Sequence, residues 1–204
     1  MEKQQELLDV NGESLSPEAV RMLDYLRTRA AELPTAGIRE RIRAAAQELE
    51  SAVSAVKESE ARLRPIEGRW NIAEVVDHIA QTQVRAAEEL RHLLVGRRPP
   101  LPPVYEALRS GAVQWAPWAD LVEGLHSANQ ALIEVLVSAP AAPPSSDAPS
   151  VRTILVVLRT LADGGTVPQI WPLDLGWKEY ALLQRLHLLD HRTQIKRLRA
   201  AIAA

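Results

Sequence analysis

The sequence of 204 residues contains no cysteine and no phenylalanine. Without a thiol, it forms no disulfide, offers no thiolate nucleophile and builds no cysteine-ligated zinc site. No apolar run approaches the roughly 20 residues that a membrane span needs. Acidic and basic residues nearly cancel, which leaves a formal charge of −2 and argues against binding driven by phosphate neutralisation. The sequence therefore predicts neither a membrane nor a nucleic-acid partner.

The first residues, MEKQQELLDVNGES, show no basic start followed by an apolar core. We therefore expect no secretory signal and a cytoplasmic protein. The sequence also lacks a glycine-rich phosphate loop, a G-x-S-x-G elbow and an H-E-x-x-H motif. These absences exclude the commonest sequence signatures of phosphate binding, of serine hydrolysis and of zinc proteases.

Residues that favour helices are abundant, chiefly alanine, leucine, glutamate and arginine. Helices are predicted over about 16–33, 36–63, 71–95, 118–138, 151–162 and 177–201. The start of the third helix is the clearest, because Asn71 followed by Glu74 makes a capping box. The fifth segment contains ILVVL, the only strand-like run, which reads equally well as a short buried helix and is taken here as a helix. A Pro/Ala/Ser-rich linker, 139–150, precedes it.

Four of these helices are long and are joined by polar connections, which predicts an all-α four-helix bundle. Residues 1–34 are expected to form an N-terminal extension with one helix, and residues 35–204 the bundle domain. The short helix at 151–162 is then an addition before the last long helix. The extra N-terminal helix is compatible with a homodimer.

Two histidines four residues apart lie in the last predicted helix. Read at every fourth position, the row is Leu183, His187, His191 and Ile195, so both imidazoles point toward the expected core. This spacing lets two ring nitrogens converge on one ion at about 2.0–2.1 Å each. His78, on an apolar side of the third helix, is the candidate third ligand. The alternative is that each histidine is hydrogen-bonded or partly exposed at the edge of the bundle and binds no metal.

Other polar residues have competing interpretations. Glu74 lies on the row of His78 and could act as a base, but its place in the capping box explains it without catalysis. Asp77 is interpreted either as solvated surface or as a hydrogen-bond partner near the site. His126 is taken mainly as a polar residue of the bundle, and His92 as exposed. The tryptophans in or beside loops are expected to pack under those loops rather than to wall a pocket: Trp115, Trp118 and Trp171.

Two segments together carry a family resemblance: GRWNIAEVVDHIAQTQ and PLDLGWKEYALLQRLHLLDHRTQIKRL. With them, the sequence resembles the DinB/YfiT-like superfamily over roughly residues 36–201. The matching positions are Trp70, Glu74, His78, His187, His191, Gln194 and Ile195. The resemblance implies a four-helix bundle in which the three histidines bind a divalent metal near one end.

The chain departs from that family pattern in ways that leave the substrate open. Trp171 stands where relatives often have a histidine. Gly176 stands where they often have a serine or threonine cap, so Asp174 or the Gly176 backbone is expected to cap the last helix. The segments 16–33 and 151–162 look like additions that reshape any pocket.

The resemblance implies a divalent-metal-dependent enzyme that acts on a small molecule. Two reaction types are implied: hydrolysis, and transfer or isomerisation that uses a low-molecular-weight thiol such as bacillithiol or mycothiol. Without cysteine, any thiol must arrive as a cosubstrate, and the metal would activate water or that thiol. Zinc suits three imidazoles, and nickel, iron and manganese also fit. No catalytic residue and no other cofactor are assigned. The alternative is a non-catalytic helical bundle, with or without metal, that acts as a stress-related dimeric interaction protein.

Overall fold

The computed structural model describes residues 16–140, 148–160 and 166–203. Over these residues the elements in chain order are α1 Pro17–Glu32, α2 Thr35–Ser54, α3 Glu58–Ala61, α4 Ile72–Leu94, α5 Trp118–Val135, β1 Val151–Thr160, β2 Thr166–Leu175 and α6 Trp177–Ala203. A short 3-10 helix, Gly111–Gln114, precedes α5. Among these described helices, none has the length and apolarity needed to cross a membrane.

The four long helices α2, α4, α5 and α6 pack in a closed ring. Helix α4 contacts α5 and α6, and α2 contacts the same two helices from the other side. Fully buried side chains from each helix fill the centre, among them Ile42, Leu49, Leu90, Leu132 and Leu188. The predicted four-helix bundle is confirmed, and α1 packs on it against α6.

The starts of two helices position the later site. Helix α4 begins at the predicted capping box: Asn71 Oδ1 accepts the Glu74 N–H, and Glu74 Oε2 accepts the Asn71 N–H, both at 2.9 Å. Helix α6 begins without a serine or threonine. The Gly176 carbonyl accepts the Tyr180 N–H, and Glu179 Oε2 accepts the Gly176 N–H, both at 2.9 Å. Of the two expected caps, the Gly176 backbone is therefore the one present, supported by Glu179, whereas Asp174 pairs with Arg152.

The short helix predicted at 151–162 is wrong. Its described part is strand β1, which pairs antiparallel with β2 in a two-stranded hairpin. Leu155 lies opposite Trp171 in the register, and both side chains are buried. Leu155 pairs with a residue 16 positions further along the chain. The partner strand, which the local pattern does not report, therefore decides between the two conformations that the segment allows.

The second helix also ends earlier than predicted, at Ser54 instead of near residue 63. Beyond it Val56 turns into the core, 6% exposed, and the chain makes the short helix α3. The centre of the predicted linker, 141–147, the end of the predicted 151–162 helix, and residues 1–15 of the N-terminal extension lie outside the described residues. The division at residue 34 stays a prediction.

Candidate metal centre

Three histidines from two helices that contact each other meet in one cluster. His78 comes from α4, and His187 and His191 come from consecutive turns of α6. The Nε2 atom of His187 lies 3.1 Å from His78 Nε2 and 2.9 Å from His191 Nε2. Each of the three residues keeps part of its surface accessible. The structure thus brings together all three residues that the sequence singled out.

The outer nitrogens of two of these rings are tied to acceptors. His78 Nδ1 donates to the carbonyl oxygen of Leu108 at 2.8 Å, and His191 Nδ1 donates to Gln194 Oε1 at 2.7 Å. A carbonyl oxygen only accepts, so the proton of each neutral ring sits on Nδ1 and the inner Nε2 carries a lone pair. His187 Nδ1 is buried, without a hydrogen-bond partner among the described residues.

The three inner nitrogens cannot all satisfy one another by hydrogen bonding. One N–H on His187 Nε2 can donate to only one of its two neighbours, which leaves the lone pair of the other neighbour without a donor. A cation at the centre would accept all three lone pairs. An ion bound tetrahedrally at about 2.0–2.1 Å holds its ligand nitrogens about 3.3 Å apart, close to the observed 2.9 and 3.1 Å. The donor set therefore fits a divalent metal such as zinc.

Burial keeps these imidazoles neutral. It lowers the pKa of His78 to about 4, partly opposed by the hydrogen bond to Leu108. Burial, together with the two neighbouring histidines, lowers the pKa of His187 well below its ordinary value. Burial also lowers the pKa of His191 against the opposing hydrogen bond to Gln194. At neutral pH all three rings are in the unprotonated form that binds metals.

A segment from outside the bundle is fastened beside His78. Asp77 is 3% exposed; its Oδ2 accepts the Ser110 N–H at 2.7 Å, and its Oδ1 accepts the Ser110 hydroxyl at 2.6 Å. Together with the bond from His78 to Leu108, this fixes residues 108–110 on α4; we call them the anchored loop. Of the two interpretations of Asp77, solvated surface is thus wrong. Nothing in the sequence of the loop pointed to this contact.

Glu74 is engaged in the capping box and in an ion pair. Its Oε1 accepts a hydrogen bond from the Arg64 guanidinium at 2.7 Å. Burial raises the pKa of Glu74, but the hydrogen bond from the Asn71 N–H and the charge of Arg64 outweigh it and lower the pKa overall. The carboxylate stabilises the start of α4, which confirms that Glu74 forms the capping box.

An aromatic ring and a cation border the cluster. The ring of Trp70 lies 5.0 Å from the ring of His78, centroid to centroid. The Arg109 guanidinium carbon lies 5.5 Å from the centre of the Trp70 ring. The sequence had indicated Trp70 only as a position that matches the family pattern. Of the loop tryptophans, Trp118 and Trp171 are buried and Trp115 is 76% exposed.

The remaining two histidines lie elsewhere. His126, on α5, has its Nδ1 3.2 Å from Glu50 Oε2 at an exposed position. His92 faces Glu88 one turn earlier on α4, at 3.4 Å. Neither belongs to the cluster, so both serve as matched controls for substitutions in it.

Comparison with known proteins identifies relatives. The model of the DinB superfamily matches residues 41–163. Two solved structures share the fold: the mycothiol-dependent maleylpyruvate isomerase, with a TM-score of 0.56, and a histidine-to-alanine mutant of it, with a TM-score of 0.57. Each is 17% identical over 81% of this chain, which spans 62% of the length of theirs. No curated protein matches the sequence.

The extent of these matches limits what they transfer. At 17% identity the structural likeness shows the fold alone. The family match includes His78 but ends before α6. The grouping of His187 and His191 with His78 therefore rests on the geometry of this chain.

Proposed function

Because the chain belongs to the DinB superfamily, we propose that it is a divalent-metal-dependent enzyme that transfers or isomerises a small molecule with the help of a low-molecular-weight thiol. His78, His187 and His191 would hold the ion. The observation that carries this proposal is the meeting of three inner Nε2 atoms at 3.1 and 2.9 Å, with the proton of His78 held on its outer nitrogen by Leu108.

A bound ion would supply Lewis acidity, lowering the pKa of a thiol or water that reaches its open position. The side chains around it orient the ligands. The Leu108 carbonyl and Gln194 Oε1 fix which nitrogen of His78 and His191 faces inward. Each histidine remains partly exposed, as access of a small molecule to the cluster requires.

Two features favour a thiol-dependent reaction over hydrolysis. The first is that a mycothiol-dependent isomerase shares the fold; because this chain has no cysteine, the thiol would arrive as a cosubstrate. The second concerns the carboxylates near the cluster. Metal-assisted hydrolysis commonly needs a general base beside the ion. The two carboxylates nearest His78 in sequence are already committed, Glu74 to Asn71 and Arg64 and Asp77 to Ser110.

The test is a pair of turnover assays on protein purified without a histidine tag. In the first, zinc-loaded protein is mixed with mycothiol or bacillithiol and 1-chloro-2,4-dinitrobenzene, where the thiolate sulfur displaces chloride. In the second, the same protein is given p-nitrophenyl acetate without thiol. Chelated protein and His187→Ala are run alongside, with His126→Ala as the matched control.

We expect thiol transfer that requires metal, that is lost in His187→Ala and that persists in His126→Ala. Metal-dependent ester hydrolysis without thiol transfer would refute the thiol-dependent reaction and support a metal-dependent hydrolase instead. Zinc binding with neither reaction would contradict catalysis with these substrates and favour the non-catalytic bundle.

A further inference from the structure

The anchored loop, residues 108–110, carries a cation whose position is fixed from both sides. Leu108 accepts the hydrogen bond of His78 Nδ1, and Ser110 donates twice to Asp77. Arg109 lies between these two anchors. Its backbone is therefore held against the same turn of α4 that supplies a metal-ligand candidate.

The guanidinium of Arg109 differs from those of Arg62 and Arg64, which both donate hydrogen bonds to described residues. Arg62 donates to the carbonyl oxygens of Val113 and Ala116. Arg64 donates to Glu74 Oε1 at 2.7 Å and to the Arg69 carbonyl at 3.1 Å.

Arg109 makes no hydrogen bond to another described residue; its nearest carboxylate oxygen, Glu74 Oε1, is 3.8 Å away and already accepts from Arg64. The Arg109 side chain is 46% exposed. It therefore presents its planar fork of donors to solvent.

An aromatic ring links this fork to the histidine cluster. Trp70 lies 5.0 Å from His78 and 5.5 Å from the Arg109 guanidinium. Stacking on an indole orients a guanidinium and leaves its N–H edge available. A ligand that reaches the cluster past Trp70 would meet that edge.

We propose that Arg109 is a specificity residue that binds a carboxylate group of the molecule occupying the histidine cluster. This inference rests on the proposed metal-dependent function and names the substrate class: small molecules with a carboxylate at one end. A planar carboxylate matches the guanidinium fork with two parallel hydrogen bonds. The substrate therefore spans from the cluster to the anchored loop.

The test uses protein loaded with Co²⁺, whose absorption reports thiol binding, and two matched pairs of thiols. The pairs are 3-mercaptopropionate with 3-mercaptopropanol, and 6-mercaptohexanoate with 6-mercaptohexanol. The two thiols of a pair have the same chain length, and one ends in a carboxylate where the other ends in a hydroxyl. The proteins are wild type, Arg109→Gln, Arg109→Lys and Arg91→Gln. The last is the control, because it removes a cation that lies on α4 about 20 Å along the helix from His78.

For at least one pair, we expect the carboxylate thiol to bind wild type about 10-fold more tightly than the alcohol. Arg109→Gln should bring that ratio close to one without changing alcohol binding or the cobalt stoichiometry. Arg109→Lys should keep part of the preference, because it keeps the charge but loses the fork, and Arg91→Gln should keep all of it.

A ratio near one in wild type for both pairs, or a preference that survives Arg109→Gln, overturns the inference and leaves the metal site standing. Failure to take up cobalt, or thiol binding by neither member of either pair, overturns the proposed function and this inference with it.

Discussion

Asp77 holds Ser110 by two hydrogen bonds, one to the backbone N–H at 2.7 Å and one to the side-chain hydroxyl at 2.6 Å. This contact joins α4 to the loop whose preceding carbonyl orients His78. A buried carboxylate that is not itself a metal-ligand candidate therefore controls how one imidazole is presented to the cluster.

Loosening this contact should weaken metal binding. Asp77→Ala removes both acceptor oxygens, so both hydrogen bonds to Ser110 are lost. We expect the zinc dissociation constant to rise about 10-fold, a magnitude typical of residues that support metal ligands. Competition with a chromophoric chelator measures it. Ser110→Ala, which removes only the hydroxyl bond, should have a smaller effect, and equal dissociation constants in all three proteins would refute the coupling.

The metal-free protein should lose stability as the pH falls below 6.5. His78 has a pKa of about 4 in the folded protein and 6.5 as its ordinary value. Between these values the unfolded chain takes up a proton that the folded state resists, so the free energy of unfolding decreases. Above pH 6.5 the contribution of His78 to the free energy of unfolding is fully present. Near pH 4 roughly 3 kcal/mol of that contribution has been lost.

Urea unfolding in the presence of EDTA, from pH 7.5 to 5, measures this decrease before most carboxylates titrate. His78→Gln should show a flatter profile than wild type, and His126→Gln should reproduce the wild-type slope. A wild-type profile that stays level over this range would show that burial does not hold these rings neutral.

The capping role of Glu74 can be separated from catalysis. Glu74→Gln keeps an acceptor for the Asn71 N–H but loses the charge that pairs with Arg64. We expect the free energy of unfolding to fall by about 1 kcal/mol. Thiol-transfer turnover should remain within about threefold of wild type. Loss of turnover with unchanged stability would instead identify Glu74 as a base.

A polar contact inside the bundle should contribute strongly to stability. The buried Tyr180 hydroxyl donates to Glu89 Oε2, and Arg85 Nε donates to Glu89 Oε1 at 2.8 Å. Glu89→Ala leaves the Arg85 charge partly buried without its partner and should cost about 3–5 kcal/mol. Tyr180→Phe should cost about 1.5–3 kcal/mol.

Chemical denaturation of both variants measures these changes, with Tyr105→Phe as the control, since Tyr105 is 58% exposed. A Tyr180→Phe variant as stable as the control would show that the hydroxyl contributes nothing net.

The sequence predicted those parts of the fold that depend on local signals. The periodic helices and the Asn71–Glu74 capping box are local, and four of the long helices were placed to within a few residues at their starts. The hairpin was missed because its strands are specified by each other: Ile154 pairs with Pro172 across the ladder, and a proline in a run argues against a strand unless that strand lies at an edge.

The same distinction holds at the candidate site. The spacing of His187 and His191 and the apolar side of His78 are visible in the sequence, so their convergence was predictable. Leu108 and Ser110 lie about 30 residues after His78 and Asp77, the residues of α4 that they contact. The segment around them has no periodicity and no motif. Arg109 could not be selected from the sequence, because what distinguishes it from Arg62 and Arg64 is the set of acceptors that the fold gives to each.

The central claim is that three imidazoles bind one divalent ion, and elemental analysis of tag-free protein tests it most directly. After equilibration with zinc and removal of excess metal, wild type and His126→Ala should each retain one ion per chain. His78→Ala, His187→Ala and His191→Ala should each retain far less. Wild type that retains no metal, or a His187→Ala variant that retains as much as wild type, would contradict the account.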